Sequence, residues 1–182
     1  FSGAFLDGAN ILITGPTQKS TLDINGLVVS NASDDGLDIV LNNGAQVLMT
    51  QFDNVIAQNN DENGLKFTIV AGSSLQTVSA TGSNITGNGA AGSGFDGIDV
   101  LVSGAGSKGV FNFNNLTVSN SGGRGIDLDV TNNGELIFNV TKGTIAKNGL
   151  EGMDINVGVR DEFGSALVVS TPAKFSGSFS QV

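Results

Sequence analysis

Apolar and polar residues alternate in short stretches along the chain. Residues 37–41 read Leu-Asp-Ile-Val-Leu, and similar stretches begin at Leu65, Ile98, Ile126 and Met153. An alternation with a period of two places one set of side chains on each face of a β-strand. Segments rich in Gly, Asn and Ser separate these stretches and predict turns, and no long stretch has the pattern of a helix. The sequence therefore predicts an all-β fold.

The alternating stretches belong to a repeat. A glycine opens each copy, with spacings of 28, 28, 33, 28 and 27 residues between Gly8, Gly36, Gly64, Gly97, Gly125 and Gly152. An asparagine stands four to nine residues before each later glycine, at Asn31, Asn59, Asn88, Asn120 and Asn148. Each copy has room for about three short strands. Recurrence of the same positions in every copy predicts a parallel β-solenoid, with coils stacked about 4.8 Å apart.

The repeat pattern is an Asn, then a gap of a few residues, then a Gly followed in most copies by an apolar-Asp-apolar triplet. In this motif the chain resembles the right-handed parallel β-helix repeats of the pectin-lyase-like superfamily and of large bacterial surface proteins. The similarity covers residues 7–176. It implies a right-handed coil and says little about activity, since one fold carries many functions. We expect one right-handed parallel β-helix domain over residues 1–182, with six coils of 27–33 residues and three short strands each.

The repeated asparagines have a structural interpretation. Asparagine before a tight turn tolerates a left-handed backbone, and amides stacked one per coil can form hydrogen bonds along the solenoid. Resembling β-helices carry such internal ladders. We therefore expect a structural ladder made of Asn31, Asn59, Asn88, Asn120 and Asn148.

The acidic residues around each glycine allow two interpretations. Two residues after the glycine, successive coils carry Asp38, Lys66, Asp99, Asp127 and Asp154. Acids interrupted by a cation are typical of a charge-compensated surface column, because opposite charges on neighbouring strands attract. The last three positions lack a cation in their own column, however, and clustered carboxylates are ligands that suit Ca²⁺. A weak calcium site at Asp99, Asp127 and Asp154 is the second interpretation, with calcium as the only cofactor expected.

Composition limits the partners. The chain has 8 Lys and Arg against 17 Asp and Glu, for a net charge of −9. This balance disfavours nucleic acid, whose binding needs basic residues to displace counterions. No apolar run approaches the roughly 18 residues that span a bilayer, so membrane insertion is not expected.

No catalytic set is evident. The chain has no His and no Cys, which removes the usual nucleophile–base pairs, and it lacks the Trp and Tyr that line many sugar clefts. Resembling pectate lyases place calcium-binding acids beside a catalytic Arg, and Arg124 near Asp96, Asp99 and Asp127 matches that arrangement in part. The largest insertion, residues 89–93, is too short to wall a groove. An enzyme is therefore the less favoured expectation.

The two ends of the chain echo each other. Phe1-Ser-Gly-Ala-Phe5 and Phe175-Ser-Gly-Ser-Phe179 are near copies, and uncapped strand edges pair readily with further strands. We expect Phe1, Phe5, Phe175 and Phe179 at an end-to-end contact, within a longer chain or between units of a filament. The expected function is a structural or adhesive segment of a bacterial extracellular fibre or cell-surface protein. The alternative is a carbohydrate-active enzyme or carbohydrate-binding β-helix, with a polysaccharide as partner.

Overall fold

The computed structural model describes residues 2–3, 6–16, 19–77 and 80–157, and the backbone of three further strands at 166–170, 174–175 and 179–181. Every regular element in these residues is a β-strand, as the alternating pattern predicts. The strands form three parallel sheets, and each coil contributes to all three in turn.

Sheet 1 follows the repeated glycine and contains β1 (Ala9–Thr14), β4 (Leu37–Asn42), β7 (Leu65–Val70), β11 (Ile98–Ser103), β14 (Ile126–Thr131), β17 (Met153–Val157) and β20 (Phe179–Gln181). Sheet 2 contains β2 (Ser20–Asn25), β5 (Gln46–Asp53), β8 (Ser74–Thr77), β9 (Ala80–Thr81), β12 (Lys108–Asn114), β15 (Glu135–Thr141) and β18 (Ala166–Ser170). Sheet 3 contains β3 (Val28–Ser30), β6 (Ile56–Gln58), β10 (Asn84–Thr86), β13 (Thr117–Ser119), β16 (Thr144–Ala146) and β19 (Lys174–Phe175).

The molecule is a parallel β-helix, as predicted. Five complete turns lie between β1 and β17, slightly fewer than the six expected, and β18, β19 and β20 continue the three sheets beyond them. The register follows the repeat, because Leu37 pairs with Leu65 and Ile98 pairs with Ile126. Neighbouring coils are therefore joined position by position, and a residue type that recurs in the sequence becomes a column in the structure.

The core is a stack of inward columns. In sheet 1 the first two inward columns comprise Leu37, Leu65, Ile98, Ile126 and Met153, and Ile39, Phe67, Val100, Leu128 and Ile155, all of them buried. The rings of Phe52, Phe67, Phe111, Phe113 and Phe138 pack against one another from sheets 1 and 2 with centroids 5.0–6.2 Å apart. Burial of these apolar side chains provides the main driving force for stacking the coils.

Candidate functional site

The acidic residues gather along one edge of the solenoid, where the chain turns from sheet 3 into sheet 1. We call this surface the acidic edge. It comprises the residue just before each repeated glycine and the first outward position of each strand in sheet 1: Asp35, Asp38, Asn63, Lys66, Asp96, Asp99, Arg124, Asp127, Glu151 and Asp154.

Three residues at the turn position of the acidic edge are buried. Asp35, Asn63 and Asp96 are only 1%, 5% and 5% exposed. The Oδ1 atom of Asp35 accepts the backbone N–H of Asn63 at 3.0 Å, and the Oδ1 atom of Asn63 accepts that of Asp96 at 2.7 Å. Asp96 accepts the N–H of Arg124 in the same way. These side chains therefore bond each coil to the next, since a buried N–H needs an acceptor.

One cation compensates the first part of the edge. The Nζ atom of Lys66 lies 2.9 Å from Oδ2 of Asp35, and Lys66 stands between Asp38 and Asp99 in the outward column. The alternating column that the sequence suggests is thus present in these coils.

A second cation, Arg124, serves the upper acids. Asp99, Asp127 and Asp154 are neighbours in register on β11, β14 and β17. The guanidinium of Arg124 reaches across from the turn position, with Nη1 3.2 Å from Asp127 Oδ2 and Nε 2.8 Å from Asp154 Oδ2. Its Nε also lies 3.7 Å from Glu151. The cation missing from this column is therefore supplied by the column beside it.

The acidic edge still holds more negative charge than its cations balance. Burial raises the pKa of Asp99 to about 6, and the neighbouring Asp127 adds to the rise. Burial likewise raises the pKa of Asp127 to about 6 against the opposing pull of Arg124, and that of Asp38 to about 6 with help from Asp35. Carboxylates with such values exchange protons near neutral pH.

The calcium site expected at Asp99, Asp127 and Asp154 stays a prediction. Among the described residues, the three carboxylates with ligand oxygens all within 4.8 Å of one another are Asp7, Asp34 and Asp35 instead. Asp127 and Asp154 are engaged by Arg124. The interpretation of a charge-compensated column agrees better with these contacts.

The predicted asparagine ladder divides between two adjacent columns. Asn31, Asn59 and Asn120 occupy a corner with positive φ values of 54°, 55° and 56°, and their side chains are exposed. Asn88 and Asn148 lie one position further along the coil, in register with Asn60. The five asparagines therefore have two different structural roles. The corner position requires a left-handed backbone, and the next position requires an inward-pointing amide.

The inward column forms a hydrogen-bonded ladder. Nδ2 of Asn60 donates to Oδ1 of Asn88 at 2.8 Å, and Nδ2 of Asn88 donates to the carbonyl of Ala57 at 3.0 Å. Oδ1 of Asn148 accepts the N–H of Ser121 at 3.1 Å. A Cβ atom on Gly36 would overlap Nδ2 of Asn60, so the ladder also explains why glycine recurs at the entrance to sheet 1.

The four phenylalanines expected at the ends are only partly described. Phe175 on β19 pairs with Ile145, and Phe179 on β20 pairs with Met153; their side chains, and all of Phe1 and Phe5, lie outside the described residues. At the first coil, the apolar Ala9, Ile11 and Leu22 line a cavity of about 630 Å³.

A second concavity of about 310 Å³ lies on the outer face of sheet 2, beside Lys19, Gln46 and Gln76. Neither concavity is lined by Arg124, Asp99 or Asp127.

Comparison of the chain with protein-family models, curated proteins and solved structures gave no match. In the described part of the chain, no helix has the length and apolar character needed to cross a bilayer.

Proposed function

We propose that this chain is a structural or adhesive segment of a bacterial extracellular fibre or cell-surface protein, related to pectin-lyase-like β-helices, in which coils continue end to end. The observation that carries the proposal is that polar side chains form hydrogen bonds between neighbouring coils. Asp35, Asn63, Asn60 and Asn88 all bond one coil to the next. Such side chains strengthen a stack of coils and leave few groups free to hold a substrate.

The first coil supports continuation of the stack. The edges of β1 and β2 away from β4 and β5 have no partner strand among the described residues, and Ile11 and Leu22 are only partly buried. An additional coil, from the same polypeptide or from a second copy, would cover these side chains and pair both strands.

A carbohydrate-active or carbohydrate-binding role is the second candidate. It is favoured by the carboxyl groups of Asp96 and Asp99 beside Arg124, because burial raises their pKa values to about 7 and about 6. Acids with such values suit proton transfer at neutral pH.

Electron microscopy and light scattering of the 182-residue chain, combined with an assay on acidic and neutral polysaccharides, distinguish these roles. The structural role predicts end-to-end particles or fibres and no change in polysaccharide length. Discrete monomeric particles that cleave a polysaccharide would favour the enzyme instead, provided that the Asp99→Asn variant loses the cleavage. Lys142→Gln, a change at an exposed side chain, is the control for that variant.

A further inference from the structure

The largest insertion of the repeat packs against the next coil. Residues 89–95 lie along the turn 121–123: the N–H of Gly122 donates to the carbonyl of Asn88 at 2.8 Å, and the N–H of Gly123 donates to that of Phe95 at 2.6 Å. A Cβ on Gly122 would overlap Ala90, and a Cβ on Gly123 would overlap Gly94 and Asp96. The loop and the turn therefore form one closely packed unit.

Asp96 stands where the loop and the turn meet. Its carboxylate accepts the N–H of Arg124, and it is 5% exposed. The charged groups that face it are Arg124, Asp127 and Asp99. In the described part of the chain no cation pairs with Asp96, because the guanidinium of Arg124 lies against Asp127, Glu151 and Asp154. A buried carboxylate without a paired cation is unfavourable.

The same position in earlier coils shows that the bond does not need this charge. Asn63 makes the equivalent bond, to the N–H of Asp96, with a neutral amide. Asp35 makes it with a carboxylate, but Lys66 balances that charge at 2.9 Å. Asp96 is the member of this column that combines burial, a carboxylate and no paired cation.

We propose that Asp96 is a proton-sensitive latch between the loop 89–95 and the turn 121–124. The protonated carboxyl keeps an oxygen that accepts the N–H of Arg124, and it adds no charge to the junction. Loss of the proton places a charge between the coils and weakens the contact, so the loop and turn separate more readily.

The direction of the pH effect follows from proton linkage. Burial is the largest cause that raises the pKa of Asp96 to about 7, with smaller contributions from Asp127 and Asp99 and against the opposing effects of Arg124. In the opened state the carboxyl has an ordinary pKa near 4. The closed state therefore binds the proton more tightly, and the latch loses stability as the pH rises from about 4 to about 7.

Hydrogen exchange of the whole chain tests the latch. The amides of Gly122, Gly123 and Arg124, corrected for the intrinsic rate, are expected to lose about tenfold or more of their protection between pH 5.5 and pH 8. Asp96→Asn keeps the acceptor oxygen and removes the charge, so its protection stays high at both pH values. Asp23→Asn removes an exposed charge on sheet 2 and should behave like the parent chain.

Amides of β11 serve as the internal reference for global unfolding. If protection of the turn does not change with pH, or if the change persists in Asp96→Asn, the latch is overturned. Turn amides that exchange no faster than those of β11 at pH 8 also overturn it, because the junction then opens only when the whole chain unfolds.

Discussion

At the scale of single residues, the polar side chains of this solenoid are placed by the backbone groups they satisfy. Asn88 is fully buried, and its amide serves Asn60 and Ala57 in the preceding coil. The corner asparagines Asn31 and Asn59 are exposed and are selected instead by their left-handed backbone. Two residues of the same type thus face different requirements, one for hydrogen bonds and one for conformation.

Replacing Asn88 tests the ladder. Asn88→Ala leaves the N–H of Asn60 and the carbonyl of Ala57 without their partner, which should lower the free energy of unfolding by about 2–4 kcal/mol. Asn84→Ala, at an exposed position of β10, should change it by no more than about 0.5 kcal/mol. Denaturant titration of both variants gives the comparison, and equal effects would show that the inward amide is dispensable.

At the scale of strands, the fold was predictable because the repeat specifies the register. Leu37, Ile39, Ile126 and Leu128 occupy every second position of their strands, and the structure buries them in the expected columns. The asparagine columns were harder to predict from the sequence. The doublet Asn59-Asn60 allows two alignments, and the sequence does not show which amide points inward. The contacts of Arg124 could not be predicted from the sequence either, because its long side chain reaches a residue of the neighbouring column.

The register of sheet 1 makes a sharp prediction. Ile126→Asp would bury a carboxylate between Ile98 and Met153, at a cost large enough to unfold the chain. Thr68→Asp places the same group on the outer face, in the column where Asp129 already lies, and should leave the fold intact. Circular dichroism on the two proteins checks this; a folded Ile126→Asp protein would contradict the register.

At the scale of the whole molecule, the charge of −9 is concentrated in part on the acidic edge. Burial is the largest reason why the pKa values of Asp38, Asp99 and Asp127 rise to about 6. Ordinary carboxyls in the unfolded chain have pKa values near 4. The folded chain therefore binds more protons between about pH 4 and pH 6, so stability falls as the pH rises through this window.

The melting temperature should accordingly be higher at pH 5 than at pH 8, by about 5 °C or more. The difference should persist in 0.5 M salt, since burial of the carboxyls is not screened. Scanning calorimetry across this pH range measures the effect. A melting temperature that rises with pH would mean that ion pairs to Lys66 and Arg124 outweigh burial.

Assembly is tested at the same scale. Removing residues 175–182 deletes the strand β20 and Phe175 of β19, and the five complete turns between β1 and β17 should remain folded. If the two ends meet, this truncation should abolish end-to-end association, which light scattering at high protein concentration detects. A parent chain that stays monomeric, or a truncated chain that still associates, would contradict this contact.

The pairing of each coil with only the coils before and after it has a mechanical consequence. Leu37 pairs with a residue 28 positions later, and so does Ile98. Tension applied to the two ends therefore acts on one outer coil at a time. Each coil that detaches releases about 28 residues, or roughly 95 Å of extended chain. Pulled in an optical trap, the segment should lengthen in a series of such steps, and each step should dissipate part of the applied work.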